Sequence, residues 1–138
     1  MKKLSPSGSY DLDLPDDISE QYDDRVSSFW RPGEPMLLQL SSHVRESGSQ
    51  VSAADRLRER IAALPSGWAA SSVRLHVDAH IDQATAERID EKGLLWLHTY
   101  IVWPKLAVYV AISGPREAVE DPDNWAIRAV RSLSLNSH

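Results

Sequence analysis

The sequence predicts an α+β protein, in which an antiparallel sheet of about six to seven strands carries two packed helices in the order βββαββββα. Most apolar segments alternate with period two, and only two segments show the helical period of about 3.6. Consecutive strand segments are joined by short turns, which favours antiparallel pairing. Residues 93–113 contain two adjacent strands that are apolar on both faces, so these strands are expected at the centre of a sheet covered on both sides.

Three strands are predicted before the first helix. Residues 10–14 alternate between apolar and acidic side chains, which predicts a half-buried strand that ends at Pro15. The segments 25–30 and 36–44 flank the Arg-Pro-Gly-Glu-Pro reversal at 31–35 and predict a hairpin. Residues 1–8 are expected to form a flexible leader, which leaves 9–138 as a single domain.

A helix and two further strands are predicted in the middle of the chain. Ser52 is a suitable N-cap with Asp55 three residues later, and the apolar stripe that follows consists of Ala54, Leu57, Ile61 and Leu64. Residues 73–81 then alternate as a strand with one polar face. Residues 84–90 favour another strand, although their Ala and Glu content leaves a helix open.

The two central strands are predicted to form a hairpin around Pro104-Lys105. A two-residue loop places Leu97 opposite Ile112 on an aliphatic face. The same register places His98 opposite Ala111 and Tyr100 opposite Tyr109 on the other face, where a helix stripe or a ligand must fill the space above the alanines. A loop one residue longer would change these partners.

A second helix is predicted near the end of the chain. Asp121 is interpreted as its N-cap and Pro122 as its first residue. Its buried stripe is expected to consist of Trp125, Ala126, Ala129, Val130 and Leu133.

This layout resembles the Mog1/PsbP-type α/β/α sandwich, a fold shared by Mog1, the photosystem protein PsbP and a group of small bacterial domains. The segments that carry the resemblance are residues 10–15, the mid-chain helix, the hairpin with Tyr-Ile-Val-Trp-Pro at 100–104, and the ending at 125–133. The resemblance implies a non-enzymatic protein, because members of this fold are mostly partner-binding proteins, assembly factors and secretion accessories. No functional residue of that family can be matched to this sequence.

Charge and composition exclude several classes of function. The net charge is −5, and residues 10–24 contain seven acids and no Lys or Arg. Part of this run is a candidate acidic patch for a basic partner, comprising Asp11, Asp13, Asp16 and Asp17, although a solvated loop and edge strand explain the same run and are favoured. An acidic chain without a basic stripe is a poor candidate for nucleic acid or anionic membranes. The absence of cysteine and of any apolar run of about 20 residues predicts a soluble, cytoplasmic protein without disulfides or membrane insertion.

Motifs for catalysis and cofactors are missing from the sequence. The six glycines are too far apart for a phosphate-binding loop, and nucleophile-elbow, zinc-protease and EF-hand motifs are absent. His76, Asp78 and His80 share one strand face, but the two histidines would stand about 13 Å apart, too far for one metal ion. We therefore expect neither a metal ion nor a cofactor.

The candidate binding site is the mixed face of the central hairpin, formed by Trp96, His98, Tyr100 and Tyr109. A buried histidine can act as an acid, a base or a pH sensor, but it is more often a hydrogen-bonded core residue. The sequence therefore favours a small non-enzymatic accessory protein that binds another protein. Two alternatives remain open: a small-molecule binder or hydrolase that uses the face around His98, and a bacterial immunity protein that neutralises a basic toxin.

Overall fold

The computed structural model describes residues 1–6, 10–44, 52–62, 74–77 and 82–135. The strands are β1 Lys2–Leu4, β2 Tyr10–Leu14, β3 Ser19–Tyr22, β4 Ser27–Trp30, β5 Leu37–Val44, β6 Arg74–Val77, β7 Asp82–Ile89, β8 Leu95–Val102, β9 Leu106–Gly114 and β10 Ser134–Leu135. The helices are α1 Ala53–Ala62, α2 Arg116–Glu120 and α3 Trp125–Arg131.

A seven-stranded antiparallel sheet has the order β3-β4-β5-β9-β8-β7-β6. A second sheet of three strands has the order β1-β2-β10, and α3 packs against its central strand. The α+β class and the antiparallel sheet are therefore confirmed. No helix among the described ranges combines the length and apolarity that a membrane crossing requires.

Two hydrophobic clusters lie on opposite faces of the large sheet. The larger cluster packs the aliphatic faces of β5, β8 and β9 against β2, α2 and α3, and its fully buried members include Leu12, Phe29, Leu38 and Val108. The smaller cluster lies between α1 and the alternate residues of β7, β8 and β9. Burial on both faces explains why β9 is apolar at nearly every position.

The predicted register of the central hairpin is confirmed. Tyr100 pairs with Tyr109, and His98 pairs with Ala111. The backbone N–H of Trp103 donates to the carbonyl of Leu106 at 2.8 Å, which closes the loop at Pro104-Lys105. Every side chain of the two strands is consequently placed on the face that the alternation predicts.

Two hairpin turns contain a glycine with positive φ, and one of them is the reversal that the sequence predicts at 31–35. Gly33 joins β4 to β5 with φ 86°, and Gly93 joins β7 to β8 with φ 81°. This left-handed region favours glycine because a Cβ there meets the backbone. Residues Asp82–Ile89 form β7, so the strand predicted at 84–90 is confirmed and the helix left open there is wrong.

The prediction of a flexible leader at 1–8 is wrong for Lys2–Leu4, because these residues form β1 and pair with β2. Leu4 packs against the larger cluster, and the Lys2 ammonium reaches the carbonyl of Ile18 at 2.7 Å and the carboxylate of Glu20 at 3.2 Å. The backbone pairing and these charge-assisted hydrogen bonds hold a segment that composition alone describes as unstructured. Residues 7 and 8 lie outside the described ranges.

The C-terminal helix begins later than the sequence predicts. Asn124, not Asp121, is its N-cap, and the Asn124 side chain accepts a hydrogen bond from the backbone of Ile127 at 2.8 Å. A short helix, α2, precedes it, beginning directly after Pro115. Trp125, Ala126 and Ala129 are buried as predicted, whereas Val130 and Leu133 are only half-buried.

Candidate functional site

The structure places Trp96, His98 and Tyr100 on one face of β8, beside Tyr109 on β9. The rings form a continuous stack: Trp96 and His98 have centroids 5.8 Å apart at 10°, and His98 and Tyr109 lie 5.9 Å apart at 27°. Tyr100 and Tyr109 approach to 5.0 Å. The four predicted binding residues therefore form one cluster, which we call the aromatic row.

Helix α1 fills the space above the small residues at one end of this row. Ala53 and Leu57 are buried against the alanines of β7 and β9. The helix is held at its start by Ser52, whose hydroxyl accepts from the backbone of Asp55 at 3.1 Å. The Asp82 carboxylate accepts from the backbone of Ala53 at 2.8 Å, which ties this helix end to β7. A helix stripe, one of the two occupants that the register allows, thus covers this part of the face.

His98 is 4% exposed, and both of its ring nitrogens have neighbours. The Arg88 Nε lies 3.4 Å from His98 Nε2, and His98 Nδ1 is hydrogen-bonded to the Tyr109 hydroxyl. A guanidinium can only donate, so Nε2 is the acceptor and Nδ1 carries the proton that reaches the Tyr109 oxygen. This is the arrangement of a neutral, hydrogen-bonded histidine in a packed core.

Two arginines cover the aromatic row with their cationic groups. The Arg60 guanidinium lies 4.2 Å from the Tyr109 ring centroid, and that of Arg88 lies 4.9 Å from the Trp96 centroid. The Trp96 indole N–H donates to Asp90 at 2.9 Å, and this hydrogen bond holds the pKa of the Asp90 carboxyl below its usual range. Cation–π contacts of this kind stabilise the row and add positive charge around the imidazole.

Burial is the main cause that lowers the pKa of His98 to about 4, and the positive charges of Arg88 and Arg60 lower it further. Burial likewise raises the pKa of the Tyr109 hydroxyl above its ordinary value. Both groups are therefore neutral near pH 7, in line with the uncharged hydrogen bond between them.

We expect the free energy of unfolding to fall as pH drops from 6.5 towards 4, because the unfolded chain then binds a proton that folded His98 does not. The loss is at most about 3 kcal/mol. His98→Gln should flatten this dependence in urea titrations between these pH values. Val110→Ala, a buried substitution that removes no titrating group, should lower stability equally at each pH. An unchanged slope in His98→Gln would show that His98 titrates normally.

The acidic patch lies on the other side of the large sheet from the aromatic row. Asp11 and Asp13 are on β2, whose apolar residues join the larger cluster, and Asp16 and Asp17 follow in the next turn. The patch is partly neutralised, since Asp16 lies 3.0 Å from the amino group of Met1 and Asp17 lies 2.8 Å from Arg31. The two predicted sites are thus separate surfaces.

The histidine pair of the mid-chain strand is only partly described. His76 lies on β6, while Asp78 and His80 fall outside the described residues. Within the described part of the chain, no group of three His, Asp or Glu side chains could hold a metal ion. The expectation that this strand binds no metal stays a prediction.

Two features that bear on function were not predicted from the sequence. The first is β3 within the acidic run, which forms an edge of the large sheet. The second is a cavity of about 770 Å³ between α3 and the β4–β5 loop. From the sequence, Trp125 is interpreted only as a core residue. The spacing of Trp125, Arg128 and Ser132, at intervals of three and four residues, was the signal that could have placed them on one helix face beside a cavity.

Comparison with known proteins identifies the fold and no family. No family model matches the chain, and no curated protein matches it. Twelve chains of solved structures match. One, a crystal structure from Bacteroides thetaiotaomicron VPI-5482, has a TM-score of 0.70 and 16% sequence identity. The match covers 99% of this chain and 49% of that one, so this chain spans about half the length of its structural neighbour.

Proposed function

We propose that this protein is a non-enzymatic accessory protein that binds an extended, basic segment of another protein along β3. The observation that supports this is the position of β3 at the end of the seven-stranded order, with acidic residues on and around it. Among the described strands, only β4 pairs with it. An open sheet edge is a template for a further strand.

The hydrogen-bond pattern indicates which backbone groups of β3 are available. The N–H of Asp23 donates to the carbonyl of Val26 at 2.9 Å, so Asp23 belongs to the residues that bond to β4. Because bonding alternates along an antiparallel pair, the N–H and C=O groups of Glu20 and Tyr22 point away from β4. The Tyr22 side chain is 47% exposed beside them. A partner strand would find both a backbone ladder and an aromatic contact here.

The charge at this edge favours a partner strand with Lys or Arg. Asp23 and Asp24 are exposed and have no side-chain partner among the described residues. Glu20 and Asp17 are engaged by Lys2 and Arg31, but exposed ion pairs contribute little and exchange readily for those of a partner. The carboxylates of this edge can therefore pair with a basic partner with little loss of stability of the fold.

The resemblance to the Mog1/PsbP-type sandwich supports the same proposal, because that fold is used mostly by partner-binding proteins. A bacterial immunity protein that neutralises a basic toxin is one specific form of it, since a basic toxin surface would complement this edge. A ligand-binding or hydrolytic role at His98 is less favoured. The imidazole is 4% exposed, and its two nitrogens are taken up by Tyr109 and Arg88.

Photo-cross-linking tests the proposal in the cells that produce the protein. We expect p-benzoylphenylalanine at Tyr22 to cross-link a protein that the same group at Glu59, exposed on α1, does not capture. With that protein purified, Asp23→Asn combined with Asp24→Asn should weaken binding several-fold and reduce its salt dependence, because attraction between exposed charges is screened. Melting temperature should stay unchanged. Capture at Glu59 alone, or affinity indifferent to the two aspartates, would contradict the proposal.

A further inference from the structure

A cavity lies at one end of the large sheet, where its lining includes Met36 and Trp125 of the larger cluster and no residue of the aromatic row. It has a volume of about 770 Å³, within the range of small-molecule sites. One wall is a face of α3, on which Trp125, Arg128 and Ser132 follow at intervals of three and four residues. The facing wall includes Pro35 and Met36 from the β4–β5 loop.

Most polar groups of the cavity are already satisfied. The Ser132 hydroxyl accepts from the backbone of Asp13 at 2.7 Å and donates to the carbonyl of Ala129 at 2.6 Å. The Arg31 guanidinium is engaged by Asp17 and Glu34. Ser132 and Arg31 are therefore engaged within the protein and shape the wall of the cavity.

Other groups on its lining have no side-chain partner among the described residues. Trp125 is 6% exposed, and its indole N–H has no acceptor among the described residues. A buried donor without an acceptor is destabilising. Within the same described ranges, the Arg128 guanidinium and the carboxylates of Asp13 and Asp123 form no ion pair or side-chain hydrogen bond. The cavity thus combines an unpaired cation and unpaired carboxylates with an apolar wall, beside a buried indole N–H that has no acceptor.

We propose that this cavity binds a small zwitterion with an apolar body, of the class of apolar amino acids and dipeptides. The carboxylate of the ligand pairs with Arg128, which is exposed and follows Trp125 by about one turn of α3. The ammonium pairs with Asp13, which the hydrogen bond to Ser132 places beside the same helix face. The apolar body packs on Met36 and the Trp125 ring. This site does not depend on the β3 edge.

The probe for this proposal is L-phenylalanine, followed through the indole N–H signals of the five tryptophans in ¹H–¹⁵N spectra. Trp125→Phe identifies the relevant signal. We expect L-phenylalanine or L-phenylalanyl-L-leucine to shift the Trp125 signal at millimolar concentration. The compound that binds more tightly indicates whether the cavity suits a single amino acid or a dipeptide. Phenethylamine, which lacks the carboxylate, and 3-phenylpropionate, which lacks the ammonium, should each bind about tenfold more weakly or worse.

Variants assign each charge of the ligand to its residue. Arg128→Gln should weaken L-phenylalanine about tenfold and leave phenethylamine unaffected, while Asp13→Asn should weaken L-phenylalanine and leave 3-phenylpropionate unaffected. Arg131→Gln, on the same helix but outside this cavity, is the control and should change nothing. No shift of the Trp125 signal with either zwitterion, or equal affinity for an analogue with one charge, would overturn the proposal. Because Arg128 is exposed, its substitution is tolerated by the fold.

Discussion

Replacing Leu38 by alanine is expected to lower the free energy of unfolding by about 2–5 kcal/mol, the largest effect of any single truncation considered. Leu38 lies on β5 with 0% exposure. It stands opposite Phe29 on β4 and Ile112 on β9, at the centre of the larger cluster. A close-packed site between three strands and the small sheet cannot collapse onto the void that the missing side chain leaves, so transfer and cavity costs add.

Urea unfolding measures this effect through a lower midpoint at an unchanged slope. Leu135→Ala is the matched control, because the same atoms are removed from a side chain that is 45% exposed on β10. Its cost should stay below about 0.5 kcal/mol. Leu97→Ala should fall between the two, since Leu97 is only half-buried beside the larger cluster. Equal losses in Leu38→Ala and Leu135→Ala would mean that β5 does not lie at the centre of the core.

Asn124→Ala is expected to cost about 2–4 kcal/mol, because one side chain serves both C-terminal helices. Its carbonyl oxygen caps α3 by accepting from Ile127 at 2.8 Å. Its amide donates to the carbonyls of Ala118 and Val119 at 3.0 and 3.1 Å, at the end of α2. Alanine leaves a helix uncapped and two carbonyls without this donor, and Asn124 is 9% exposed, so water compensates poorly.

Asn124→Ser separates the two contributions. A serine hydroxyl can cap α3 but cannot reach both carbonyls of α2, so its cost should be about half that of alanine. Thermal unfolding followed by circular dichroism gives the ranking, with Asp123→Ala, exposed and adjacent, as the control. Equal stability of the serine and alanine variants would assign the whole effect to α2, and no loss in either would show that the cap is dispensable.

Local sequence patterns were sufficient to predict the elements whose deciding interactions are close in sequence. The alternation at 10–14 predicted β2, and Ser52 predicted the start of α1. A two-residue loop at Pro104-Lys105 predicted the register of the central hairpin that the structure confirms. Each of these depends on side-chain period or turn chemistry within a few residues, which any fold must respect. The composition of the aromatic row followed from the same register.

Long-range pairing decided what the local patterns could not. β1, β3 and β10 are short and largely polar, and they become strands only because β2 and β4 offer them a backbone ladder. Asn124 replaced Asp121 as the helix cap because its amide also meets α2, a contact invisible in sequence. The sequence by itself determined the α+β class and the set of residues that share the face of the aromatic row, whereas the structure decided between the two loop lengths that the sequence left open for the central hairpin. Tertiary structure alone decided that α1 covers part of that row, that β3 is an acidic edge to which only β4 pairs among the described strands, and that α3 and the β4–β5 loop line a cavity. Each of these requires segments distant in sequence to meet.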